Sequence, residues 1–197
     1  MTAAEPLADI PVNMVRAHLG DLLPATFPNG FGMRPLRPGL ADAPLWTEIQ
    51  REAVVGEFEI KDDLFAREFG GDLEAIVARC FFITDPANVA VGTISAWMRG
   101  RGENAENWGR IHWVATRPAF QRRGLGRAGL AFTLNRLAEL GHERAWLSTS
   151  TALHPALKLY LDAGFVPDLE PASARDAWHT VRARLPHPAL ADALGGF

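Results

Sequence analysis

The chain has 197 residues, 48% hydrophobic and 22% charged, with a formal net charge of −3, which is the make-up of a globular domain rather than a disordered or fibrous chain. That charge argues against a general nucleic-acid binder, and a single cysteine, Cys80, excludes an intramolecular disulfide framework. No apolar run approaches the roughly 20 residues needed to cross a bilayer, and the start, MTAAEPLADIP, shows no basic and apolar leader. A soluble, cytoplasmic protein is expected.

Residues 1–32 are punctuated by Pro6, Pro11, Pro24, Pro28 and Asn29-Gly30. They read as an arm packing on the domain, with one short helix from Val12 to Leu23. Met33 to Arg37 is a first strand, placed at a sheet edge by Pro35. A helix follows from Ala41 to Ala53, with Leu45, Ile49 and Ala53 at helical spacing. A second helical region, Lys61 to Arg79, is interrupted at Gly70-Gly71.

Cys80 to Thr84 and Val89 to Met98 form a strand pair around the turn Asp85-Pro86-Ala87-Asn88, with Gly92 a candidate bulge. Residues 100–109 are a polar, glycine-rich loop. Ile111 to Thr116 is the next strand, and a helix then runs to about Leu140, with Leu130, Leu134 and Leu137 as its buried stripe and Gly141 as its stop. Ala145 to Ser150 is a further strand. A helix opened by Pro155 carries Leu157, Tyr160 and Leu161 and ends at Gly164. Phe165 starts another extended stretch, Trp178 to Leu185 reads as a last strand, and 186–197 is a tail.

Between the strand 111–116 and its helix lies Gln121-Arg122-Arg123-Gly124-Leu125-Gly126-Arg127. Strand, glycine turn and helix start make an anion cradle: the glycines let a ligand approach the backbone, and the N–H groups of the first helical turn have no partner within the helix. Arginines at 117, 122, 123 and 127 add positive charge within eleven residues. Taken alone, the same stretch also reads as a helix start on a basic surface.

These features resemble the GNAT superfamily of acetyl-CoA-dependent acyltransferases. Gln121-Arg122-Arg123-Gly124-Leu125-Gly126 fits its Q/R-x-x-G-x-G/A motif, and Thr116-Arg117-Pro118 sits where V-x-P usually ends the preceding strand, threonine replacing valine. Leu159-Tyr160-Leu161-Asp162-Ala163-Gly164-Phe165 fits its L-Y-x-x-x-G-F signature. The resemblance spans about residues 33–185. It implies an α/β GNAT fold: a mixed, mostly antiparallel sheet of about six to seven strands with one splayed parallel pair, flanked by about four helices.

The resemblance also implies roles. The backbone N–H groups of Arg122, Arg123, Gly124, Gly126 and Arg127, with Gln121 in the same motif, would hold the pyrophosphate of acetyl-CoA. The backbone of Val114 and Thr116 would pair with the pantetheine arm, the Val114 N–H polarising the thioester carbonyl. Tyr160, the only tyrosine, would protonate the departing thiolate, although a tyrosine on an apolar helix side also reads as core. His112, nine residues before Gln121, matches the offset of a histidine implicated in base catalysis in the family. Alternation would put it on the face of Val114, while water or a structural histidine are the alternatives. Glu103 and Glu106 are weaker base candidates. Where the family often has asparagine this chain has Leu153, so that cofactor contact would be either lost or supplied elsewhere, as by Ser150 or Thr151.

Trp46, Trp97, Trp108, Trp113 and Trp178 with Glu57, Glu103 and Glu106 would together suit a cationic amine acceptor, yet each taken singly reads first as core or surface. No metal is implied, and Cys80 lies away from the motifs, which favours direct transfer. The implied activity is acetyl transfer to a small-molecule or peptide amine, by a monomer or homodimer without nucleic-acid or membrane partners. Transfer of a longer acyl group, or a non-catalytic acyl-CoA-binding domain, are the alternatives.

Overall fold

The computed structural model describes residues 9–37, 39, 41–54, 59–98, 105–170 and 174–195, with the side chain of Glu106 excepted. The elements in order are β1 (Pro11–Arg16), β2 (Gly32–Pro35), α1 (Ala43–Ala53), α2 (Leu64–Phe69), α3 (Leu73–Arg79), β3 (Cys80–Thr84), β4 (Ala90–Trp97), β5 (Trp108–Thr116), α4 (Leu125–Glu139), β6 (Arg144–Ser150), α5 (His154–Asp162), β7 (Val166–Pro167), α6 (Ala174–Arg184) and α7 (Pro188–Leu194).

Seven strands form one sheet in the order β2-β3-β4-β5-β6-β1-β7. Every neighbouring pair is antiparallel except β5 and β6, which run parallel and pair only at Trp108–Arg110. Helix α4 joins these two strands, as a crossover between parallel neighbours requires. Beyond Arg110 the two strands have no paired register, so the sheet is splayed on that side of β5.

Each sheet face has its own core. On one side α4 buries Leu130, Leu134 and Leu137 in a cluster with Ile94, Ala96 and Ile111. On the other, Trp46 and Ile49 of α1, Phe65 and Phe69 of α2 and Ile76 of α3 cover Cys80, Phe82, Trp97 and Ala115. Ahead of α1, the Asp42 carboxylate is fully buried, taking hydrogen bonds from Arg34 Nη1 at 2.6 Å, Arg37 Nε at 2.8 Å and the Arg37 backbone N–H at 2.9 Å.

Two expected elements are corrected. The short helix foreseen between Val12 and Leu23 is instead strand β1, which buries alternate residues Val12 and Met14 and is held between β6 and β7. The last strand foreseen at 178–185 is helix α6, which buries Ala177, Trp178 and Val181 at helical spacing. The foreseen tail carries α7, and the described residues hold seven α-helices rather than about four.

Candidate functional site

The cradle forms where β5 ends. Arg117-Pro118 leads into a single 3-10 turn at Pro118–Phe120, and the chain then passes through Arg122 at φ 61° and Gly124 at φ 82°. Gly124 is the N-cap of α4, and a left-handed cap is where glycine avoids the steric cost of a β-carbon. Among the described residues no side-chain cap is seen at this helix, so the first N–H groups of a 15-residue helix are left pointing outward. Arg122, Arg123 and Arg127 are exposed around it. Arg123 lies over the Phe120 ring at 5.1 Å and donates to the Ala119 carbonyl at 2.9 Å.

Two motif residues have structural tasks. Gln121 Nε2 donates to the Thr116 carbonyl at 3.0 Å, tying the turn to the end of β5. Arg117 turns the other way, pairing with Glu48 at 2.7 Å and with Glu52, both on α1. Three of the four arginines therefore belong to the cradle, and the fourth is neutralised by α1.

Above the cradle β5 is bulged. Ser95 pairs with His112 and Thr93 with Ala115, leaving Trp113 and Val114 opposite Ile94 alone, and Trp113 sits at φ 50°. The Trp113 carbonyl accepts from Thr93 Oγ1 at 3.0 Å and from Gln50 Nε2 at 3.4 Å, and Gln50 also donates to Thr93 Oγ1 at 2.6 Å. The extra residue breaks the alternation expected for this strand. Val114 packs against the α4-side cluster, whereas His112 meets Phe69 and Trp113 on the α1–α2 side. His112 and Val114 thus face opposite ways, contrary to the reading from simple alternation.

His112 is buried, and its Nε2 lies 3.0 Å from Glu68 Oε2, the same oxygen that accepts from Trp113 Nε1 at 3.1 Å. The hydrogen bond with His112 is the largest cause holding the Glu68 carboxyl down at about 2; partial burial opposes it, and the Trp113 bond adds to the lowering. Glu68 is therefore ionised at neutral pH.

Tyr160 closes α5 in a way that explains its signature. The Gly164 N–H reaches the Leu161 carbonyl at 3.0 Å and the Phe165 N–H reaches the Tyr160 carbonyl at 3.0 Å, with Gly164 at φ 82°. This is a Schellman C-terminus, completed by contact between the Tyr160 and Phe165 rings at 6.1 Å. Burial pushes the phenol up from its ordinary value.

At the start of α5, Ser150 Oγ is engaged by the Asp9 carboxylate and by the Ala152 N–H at 3.1 Å. Thr151, which is buried, accepts from the Ile10 N–H at 3.1 Å. Both residues secure the entry to β1. A cleft of about 310 Å³ lies beside the cradle, lined by Arg127 and Leu130 of α4, Leu159 and Ala163 at α5, and Arg16 and Asp21.

The five foreseen tryptophans are not all brought together. Trp46 and Trp97 are core residues in edge-to-face contact with Phe69. Trp178 is fully buried in the other core. Trp108 lies under the Arg144 guanidinium at 5.5 Å, and Trp113 is half-buried. Glu57, Glu103 and the side chain of Glu106 lie outside the described residues. Burial raises the Cys80 thiol to about 12, so it is protonated at neutral pH. Among the described residues no cluster of three His, Cys, Asp or Glu is arranged to hold a metal, and no helix is long and apolar enough to cross a membrane.

Glu68, Gln50 and Thr93 escape a reading of the sequence. Their partners are 20 to 63 positions away in the chain, and only the polar Glu68 amid Leu64, Phe65 and Phe69 hints at a buried partner.

The profile of the acetyltransferase (GNAT) family matches residues 45–165, more than half of the chain. Over 150 residues the chain is 32% identical to a mycothiol acetyltransferase of Clavibacter sepedonicus, a match covering 69% of this chain and 46% of that protein. Its fold is similar to a GCN5-related N-acetyltransferase of Sphaerobacter thermophilus, with a TM-score of 0.61 and 21% identity over 81% of this chain and 50% of the other. It is also similar to the ribosomal-protein-S18-alanine N-acetyltransferase of Escherichia coli, with a TM-score of 0.52 and 21% identity over 68% and 76% of the two chains. The chain spans about half the length of the first two relatives. On the family match and the sequence likeness together, this chain belongs to the GNAT acetyltransferase family.

Proposed function

We propose that the protein transfers an acetyl group from acetyl-CoA to an amine by direct attack within a ternary complex. One observation carries this reading: the uncapped N-terminus of α4 follows directly on a bulged strand whose edge is left open where β5 leaves β6. The N–H groups of Arg122, Arg123, Gly124, Gly126 and Arg127 take the pyrophosphate, each favourable N-terminal charge contact being worth roughly 0.3–1 kcal/mol. The backbone of Val114 and Thr116 lies along the pantetheine arm.

In the reaction a neutral amine attacks the thioester carbon, and the Val114 N–H holds the developing oxyanion. One such donor is worth about 2.7–4 kcal/mol in other acyl-transfer sites. The C–S bond then breaks and Tyr160 passes its proton to the thiolate. His112, oriented by ionised Glu68, or water takes the proton lost by the amine.

Release of free thiol from acetyl-CoA across a panel of primary amines tests the proposal. Saturable, amine-dependent release supports it. Calorimetric binding of acetyl-CoA with no turnover on any amine would leave a binding domain instead.

A further inference from the structure

We propose that Glu68 is a positioning residue: its carboxylate clamps the side chains of His112 and Trp113 and thereby holds the β5 bulge that directs Val114. The inference rests on the acetyl-transfer reading above. Its starting point is a strained residue. Trp113 sits at φ 50°, in the left-handed region that bulky side chains rarely adopt, and such a conformation persists only where its surroundings over-determine it.

Here three elements do so. From α2, a single oxygen of Glu68 takes the Trp113 indole N–H at 3.1 Å and faces His112 Nε2 at 3.0 Å. From β4, Thr93 Oγ1 donates to the Trp113 carbonyl at 3.0 Å. From α1, Gln50 bonds Thr93 at 2.6 Å and reaches the same carbonyl at 3.4 Å. Gln50 and Thr93 are both buried, so their bonds face little competition from water. They fix the bulge's backbone, and Glu68 fixes the side chain of Trp113 in the bulge and of His112 just before it.

Removal of this clamp has a specific geometric consequence. In a strand the side chains and the N–H directions alternate with period two, so losing one bulged residue reverses both for everything that follows. Val114 would turn from the α4 side to the α1–α2 side, and its N–H would change edges. Glu68 acts through this geometry and need not touch the reacting atoms. The clamp also ties α2, a six-residue helix, to the strand.

Three variants and three measurements test the proposal. In 15N-labelled apo protein, the Trp113 indole resonance is assigned with Trp113→Phe. Glu68→Gln, whose neutral amide oxygen is a weaker acceptor, should speed exchange of that indole proton about tenfold. In Glu68→Leu, kcat with the best amine of the panel should fall about ten- to a hundredfold, with the loss of acetyl-CoA affinity clearly smaller than the loss of kcat, because the N-terminus of α4 still holds the pyrophosphate. Glu68→Gln should restore most of that kcat. An unchanged indole resonance and exchange rate in Glu68→Gln overturns the clamp, whether or not Glu68→Leu folds. A kcat within about twofold of the parent in Glu68→Leu, or a loss of acetyl-CoA affinity in step with kcat, overturns the positioning role. If the parent protein acetylates no amine in the panel, the functional reading fails separately, and the indole measurement still decides the clamp.

Discussion

Gly126 of the cradle and Leu159 of α5 pack against each other: a β-carbon on Gly126 would lie 3.3 Å from Leu159 Cδ2. The two sequence motifs are therefore in contact, one residue before Tyr160. Gly126→Ala makes Leu159 give by a few tenths of an ångström and crowds the first turn of α4. We expect the protein to remain folded while acetyl-CoA affinity falls about tenfold, or about 1.4 kcal/mol. Titration calorimetry reads it, and an unchanged Kd would remove Gly126 from the cradle.

Gly124→Ala separates backbone strain from crowding. A β-carbon at Gly124 meets nothing within 4 Å, yet φ is 82°. The cost should be conformational alone, about 1–2 kcal/mol, seen as a lower urea midpoint with an unchanged m-value.

Tyr160→Phe keeps the ring contact with Phe165 and both Schellman bonds, since these use the ring and the backbone. It deletes only the hydroxyl. Thermal stability should stay within about 1 kcal/mol of the parent, while kcat falls about a hundredfold or more with the acetyl-CoA KM unchanged. Steady-state kinetics against both substrates checks this, and an unaltered kcat would deny Tyr160 its acid role.

Asp42 supplies a pH signature of stability. Burial by itself would raise its carboxyl; hydrogen bonds from Arg34 and Arg37 outweigh burial and hold it well below the usual carboxylate range. A group whose folded pKa is depressed contributes its stability above its unfolded pKa of about 3.9 and loses it as pH falls below. Urea unfolding should therefore weaken steeply below about pH 4. Asp42→Asn should cost about 3 kcal/mol at pH 7 and flatten that acid dependence. A parallel decline in parent and variant would place the acid sensitivity elsewhere.

Much of this fold is legible in the sequence because its signals are local. The apolar run of β3, the leucine stripe of α4 and the pairing of Gly164 with Phe165 each lie within a few turns of chain. What misleads is non-local or a matter of phase. β1 buries only Val12 and Met14 before its strand ends, too short an alternation to stand out, and its pairing is with β6. The α6 pattern is missed when read from Trp178, although Ala174, Ala177, Trp178, Val181 and Leu185 have helical spacing. At the site, the glycine cap is written in the sequence, but the bulge is not. A single extra residue in β5 reverses the relation between His112 and Val114, and the Glu68, Gln50 and Thr93 side chains that hold it come from three separate elements.

The placement of β1 sets the order in which the molecule can be completed. The N-terminal strand lies inside the sheet, and its first cross-chain bond, Ile10 to Thr151, closes over 141 positions. A chain emerging from the ribosome carries β1 as an unpaired strand until β6 has been made. The slot between β6 and β7 can be filled only then, so ring closure of this kind should make docking of β1 a slow, late event. Until it occurs, both flanking edges are open to pairing with another chain, and the nascent protein is most exposed to aggregation just before its sheet is whole.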